Sequence, residues 1–66
     1  MINWGIIGFG RMGFTFAQAI QETSNSKLIG IASKSGNTFK GFDNKSYEEI
    51  INDKKIDAIY ISTLNN

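Results

Sequence analysis

The 66-residue sequence contains no cysteine and no histidine. Without cysteine there is no disulfide, no thiolate nucleophile and no Cys-ligated metal. Without histidine the chain lacks the commonest metal ligand and the commonest general base. No uninterrupted apolar run approaches the ~20 residues that span a bilayer. The start, Met1-Ile2-Asn3-Trp4, has no basic n-region of a targeting peptide, so a cytoplasmic location is the default expectation. Charge of either sign is in no excess. Seven Lys and Arg against six Asp and Glu give a formal net charge of +1, which leaves no electrostatic footprint for nucleic acid or an anionic membrane. The acids Asp43, Glu48, Glu49, Asp53 and Asp57 show no ligand spacing. They read as a solvated surface, and no metal site is expected.

What the chain does have is Gly8-Phe9-Gly10-Arg11-Met12-Gly13, placed directly after the apolar run Trp4-Gly5-Ile6-Ile7. A G-x-G-x-x-G that follows a strand and opens a helix is the way a βαβ unit receives a dinucleotide pyrophosphate. Gly8 permits the tight turn, Gly10 removes the side chain where backbone must approach phosphate, and Gly13 lets helix and strand pack closely. The following helix aims its unpaired N–H groups and positive dipole end at the anion. Phe9, Arg11 and Met12 are expected to contribute backbone N–H groups, with the Arg11 side chain either adding charge or simply solvated.

The remaining pattern is β-α-β-loop-α-β. Ile2 to Ile7 reads as a first strand. About Arg11 to Thr23 reads as a helix with Met12, Phe16 and Ile20 at i, i+4 and i+8, and Gly13 and Ala17 adjoining. Lys27 to Ser33 reads as a second strand, Lys34 to Lys45 as an irregular connection, and Ser46-Tyr47-Glu48-Glu49 as a capping box that opens a short helix to about Asn52. Ile56 to Thr63 reads as a third strand. The expected fold class is therefore α/β: a partial Rossmann fold with a three-stranded parallel sheet. Trp4, Phe14, Phe16 and Tyr60 are assigned to packing, and Phe39 and Phe42 to pinning the connection on the sheet. Crossovers that step one way across a sheet put both helices on one face. Yet all three strands are apolar on both faces, as strands covered on both sides are. The expectation is a fold incomplete without further strands, or self-association or a partner covering a bare sheet face.

The position closing the second strand bears on cofactor choice. An NAD site places Asp or Glu about 20 residues past the glycines to bind the ribose 2′-OH. Here that count lands on Ser33, followed by Lys34 and Ser35. A hydroxyl and a cation suit a 2′-phosphate and spare it a repelling carboxylate, so NADP is favoured over NAD.

Three segments in order resemble the N-terminus of the Gfo/Idh/MocA oxidoreductases, the glucose–fructose oxidoreductase and inositol dehydrogenase group. They are Trp4 to Gly13, Ser46-Tyr47-Glu48-Glu49-Ile50-Ile51, and Ile56-Asp57-Ala58-Ile59-Tyr60-Ile61-Ser62-Thr63-Leu64-Asn65. The resemblance implies hydride transfer between a nicotinamide and a sugar- or cyclitol-like substrate, with Thr63 and Asn65 on the loop beside the cofactor. Leu64 stands where the family usually has Pro, and the connection after the second strand is short where the family usually has a helix. The sequence ends ahead of the family's Glu-Lys-Pro motif, so the resemblance carries no catalytic residue onto this chain. Residues 1–66 are expected to form the N-terminal portion of a dinucleotide-binding domain, without a substrate domain. The alternative is a non-catalytic nucleotide-binding or regulatory module, or a truncated remnant.

Overall fold

The computed structural model describes residues 1–8, 10–34, 36 and 38–62. Six elements follow in the order β1 (Ile2–Ile7), α1 (Arg11–Gln21), β2 (Ser26–Ala32), β3 (Asn44–Lys45), α2 (Tyr47–Ile51) and β4 (Ala58–Ile61). The strands form one parallel sheet in the order β3-β2-β1-β4.

The two faces of this sheet bury different residues, because successive side chains of a strand point to opposite sides. On one face Ile6, Leu28 and Ile31 meet Ala17 and Ile20 of α1, with Trp4, Phe16, Phe39, Phe42 and Tyr60 packed around them. On the other, Ile7 and Ala32 meet Ile50 of α2, with Ile56 and Ile59 alongside. Leu28 and Ile31 lie three positions apart yet share a face. The reason is a bulge: Trp4 pairs with Leu28 but Gly5 pairs with Gly30, so Ile29 is one residue extra and shifts the phase of β2. An edge-to-face Trp4–Phe16 pair, centroids 4.9 Å apart, and a stacked Phe16–Tyr60 pair at 4.1 Å tie α1 to β1 and β4.

α1 buries Gly13, Ala17 and Ile20. Met12 is 62% exposed, so the buried stripe runs through Gly13 rather than Met12, as a helical spacing of four then three residues allows. Phe14 is also substantially exposed and packs on Phe39, with ring centroids 5.5 Å apart. Phe39 and Phe42 do pin the 34–43 connection onto the α1 side of the sheet. α2 begins with the full capping box. Ser46 Oγ accepts from the Glu49 N–H at 3.1 Å, and the Glu49 carboxylate accepts from the Ser46 N–H at 2.8 Å.

Two expectations are corrected. The sheet has four strands among the described residues, not three: Asn44 and Lys45, inside the stretch read as irregular, pair with Ile31 and Ala32. Two polar residues carry no periodic signal, and only the open edge of β2 makes them a strand. Secondly, the helices do not share a face. β4 does not continue outward past β2 but returns to pair with the opposite edge of β1. That reversal of direction, joined by crossovers of one hand, delivers α2 to the face α1 leaves uncovered. The expectation that a second molecule must cover a bare face therefore loses its premise.

Candidate functional site

The reversal also creates a topological switch point. From β1 the chain steps to β2 and β3 on one side, then crosses back to β4 on the other. At such a switch point the connections leaving two neighbouring strands diverge, opening a crevice at the carboxyl ends of the strands. The strand ends here are bonded to one another. The Gly8 N–H donates to Ala32 O at 2.7 Å, and the Ser62 N–H donates to Ile7 O at 2.8 Å.

Gly8 has φ +84°, a left-handed conformation that glycine adopts without strain. Gly10 is different. Its φ is −96° and a Cβ placed on it would meet nothing within 4 Å. Among the described residues, therefore, nothing crowds a side chain at position 10, and the space beside it is open. Gly10 is also the N-cap of α1, makes no side-chain cap hydrogen bond, and precedes a first turn without acidic residues. Contrast α2, whose N-terminus is closed by Ser46 and carries Glu48 and Glu49. The first-turn N–H groups of α1 have no intrahelical partner by the geometry of any helix start, and Arg11 and Met12 around them are exposed. Gly13 is buried against the sheet.

At the end of β2, Ser33 is 8% exposed and Lys34 is exposed. The Gly36 N–H donates to Ser33 O at 3.3 Å, closing a turn with Lys34 at its corner, and Gly36, which ends it, has φ +83°, a left-handed conformation that glycine adopts without strain. The Asn44 side chain grips the same residue: the Ser33 N–H donates to Asn44 Oδ1 at 2.8 Å, and Asn44 Nδ2 donates to Ser33 O at 3.0 Å. The structure thus brings Gly8, Gly10 and the first turn of α1 to the same end of the sheet as Ser33 and Lys34. Phe9, Thr63 and Asn65 lie outside the described residues.

A family model described as oxidoreductase family, NAD-binding Rossmann fold, matches residues 2–66. This chain belongs to the Gfo/Idh/MocA family. Searches of curated proteins and of solved structures each return no match. The residues present fit the dinucleotide that a Gfo/Idh/MocA Rossmann fold implies: an open approach at Gly10, an uncapped helix start free of acids, and an exposed cation past β2. Among the described residues no three His, Cys, Asp or Glu side chains gather as a metal site, and no helix is long and apolar enough to cross a membrane.

Sequence reading missed Asn44. An asparagine in a glycine- and aspartate-bearing stretch looks like a turn former. Its pairing with a residue 11 positions earlier has no local signature. Asp57, solvated surface by its sequence, also pairs with Asn3: its carboxylate accepts from the Asn3 N–H at 2.9 Å and its own N–H donates to Asn3 O at 2.7 Å.

Proposed function

We propose that this chain is the cofactor-binding N-terminal portion of an NAD(P)-dependent oxidoreductase acting on a sugar- or cyclitol-like substrate, with NADP preferred. The nicotinamide supplies hydride chemistry when bound, and the chain's own residues bind and orient it. Gly8 to Gly13 take the pyrophosphate, chiefly through backbone N–H groups of the loop and the first turn of α1. Lys34, at the corner of the turn after β2, meets the 2′-phosphate as a point charge, and Ser33 holds that turn. Thr63 and Asn65 follow β4 and border the nicotinamide side. Proton transfer to or from the substrate is assigned to none of the 66 residues.

The observation that carries this reading is Gly10: unstrained in φ, uncrowded by the described residues, and set at an uncapped helix start. Trp4, the sole tryptophan, and the reduced nicotinamide supply a fluorescence titration. The expected result is saturable binding of NADPH that is tighter than that of NADH. Binding of neither would refute the dinucleotide reading, and tighter NADH binding would refute the NADP preference alone.

A further inference from the structure

We propose that Asn44 is a positioning residue for cofactor selectivity, holding the end of β2 so that Lys34 is presented to the ribose 2′-phosphate. The inference rests on the NADP reading above and deepens it.

Two consecutive peptide planes are involved. The Ala32–Ser33 peptide is gripped on both edges: its carbonyl accepts from the Gly8 N–H at 2.7 Å, and its N–H donates to Asn44 Oδ1 at 2.8 Å. The Ser33–Lys34 peptide is held through its carbonyl, which accepts from Asn44 Nδ2 at 3.0 Å and from the Gly36 N–H at 3.3 Å. One planar amide therefore supplies both partners, its oxygen as acceptor and its nitrogen as donor, and bridges the N–H and the carbonyl of the same residue. Asn44 is itself fixed, since its backbone pairs with Ile31 in the β2–β3 ladder. Its side chain extends that two-residue ladder one step further, to Ser33.

The linkage joins the two halves of the candidate site. Gly8 of the pyrophosphate loop, the Ala32–Ser33 peptide and Asn44 form one hydrogen-bonded row, and Lys34 leaves from its end. A lysine recognises phosphate as a compact charge on a flexible stem, so its backbone sets where the charge can reach. A 2′-OH gains little from that charge. Loosening the turn therefore penalises a 2′-phosphorylated dinucleotide more than an unphosphorylated one, and selectivity is a difference of affinities.

The test measures Kd for NADPH and NADH with wild type, Asn44→Ala, Lys34→Ala and the double variant, each checked for fold by circular dichroism. Asn44→Ala is expected to lower the NADPH-over-NADH preference by about five- to tenfold, the scale of one hydrogen bond. The double variant is expected to show no lower preference than Lys34→Ala, because Asn44 acts through Lys34. A preference unchanged in folded Asn44→Ala, or losses that multiply in the double variant, would overturn the inference while leaving the NADP reading intact. If wild type binds neither dinucleotide, or prefers NADH, the reading fails first and the inference falls with it. Should Asn44→Ala fail to fold, Asn44→Ser, too short to bridge both groups, decides by the same comparison.

Discussion

Gly10 and Gly5 are both glycines near the start of the chain, and their surroundings predict opposite consequences of substitution. A Cβ at Gly10 meets nothing within 4 Å, whereas one at Gly5 falls 2.8 Å from Ile56 Cδ1 and 2.9 Å from Ile50 Cγ2. Gly5 is there so that α2 and the turn before β4 can approach β1 closely. Gly5→Ala is expected to destabilise the chain by about 1–2 kcal/mol, the overpacking cost less the entropy a glycine-to-alanine change returns, as read from urea unfolding. Gly10→Asp should do the reverse. It supplies the missing N-cap and a favourable charge at the helix start, worth roughly 0.3–1 kcal/mol, while its carboxylate opposes a pyrophosphate. Higher stability with abolished NADPH binding is the expected pair of results. Retained binding would mean that the dinucleotide does not approach α1 at this point.

The elements themselves were largely written in local chemistry. β1, α1, β2, α2 and β4 stand within a few residues of where apolar runs, helical spacing and the Ser46–Glu49 capping box put them. The capping box was legible because both of its partners sit within four residues. β3 was not, because Asn44 and Lys45 become a strand only through the edge of β2. The capping box also predicts a pH dependence. Hydrogen bonding from the Ser46 backbone N–H, with the Ser46 side chain and Lys45 adding smaller effects, holds the Glu49 carboxyl below its ordinary range. A carboxyl that titrates lower in the folded chain contributes its stability above the unfolded value and loses it as pH falls through the folded one. Glu49→Gln keeps a hydrogen-bond acceptor but cannot titrate. Wild type is therefore expected to be the more stable of the two at neutral pH. That gap should close on acidification below the usual carboxylate range, as measured by urea unfolding across pH. A gap independent of pH would remove the ionised carboxylate from the role given to it.

At the scale of the molecule, the topology was the least legible feature. A strand sequence does not state which edge of the sheet it will join, and the choice of β4 to pair with β1 decides both the placement of α2 and the switch point between β1 and β4. The glycine motif is a local signal that a sequence carries openly; the long-range bonds of Asn44 and Asp57 could come only from the folded chain. A chain of 66 residues has a small core: its fully buried large side chains are Ile6, Ile31 and Ile50. Domains of this size are marginally stable and change their melting temperature by about 4–8 °C per kcal/mol. A ligand that binds only the folded form at 100 times its Kd adds about 2.7 kcal/mol. NADP at that excess is therefore expected to raise the melting temperature by about 10–20 °C in differential scanning calorimetry, and Gly10→Asp should show no such rise. The proposed site draws on α1, β1, β2 and the turn at Lys34, so a dinucleotide bound there would hold together elements from most of the chain. A rise in the Gly10→Asp variant equal to that of wild type would place the binding elsewhere on the molecule.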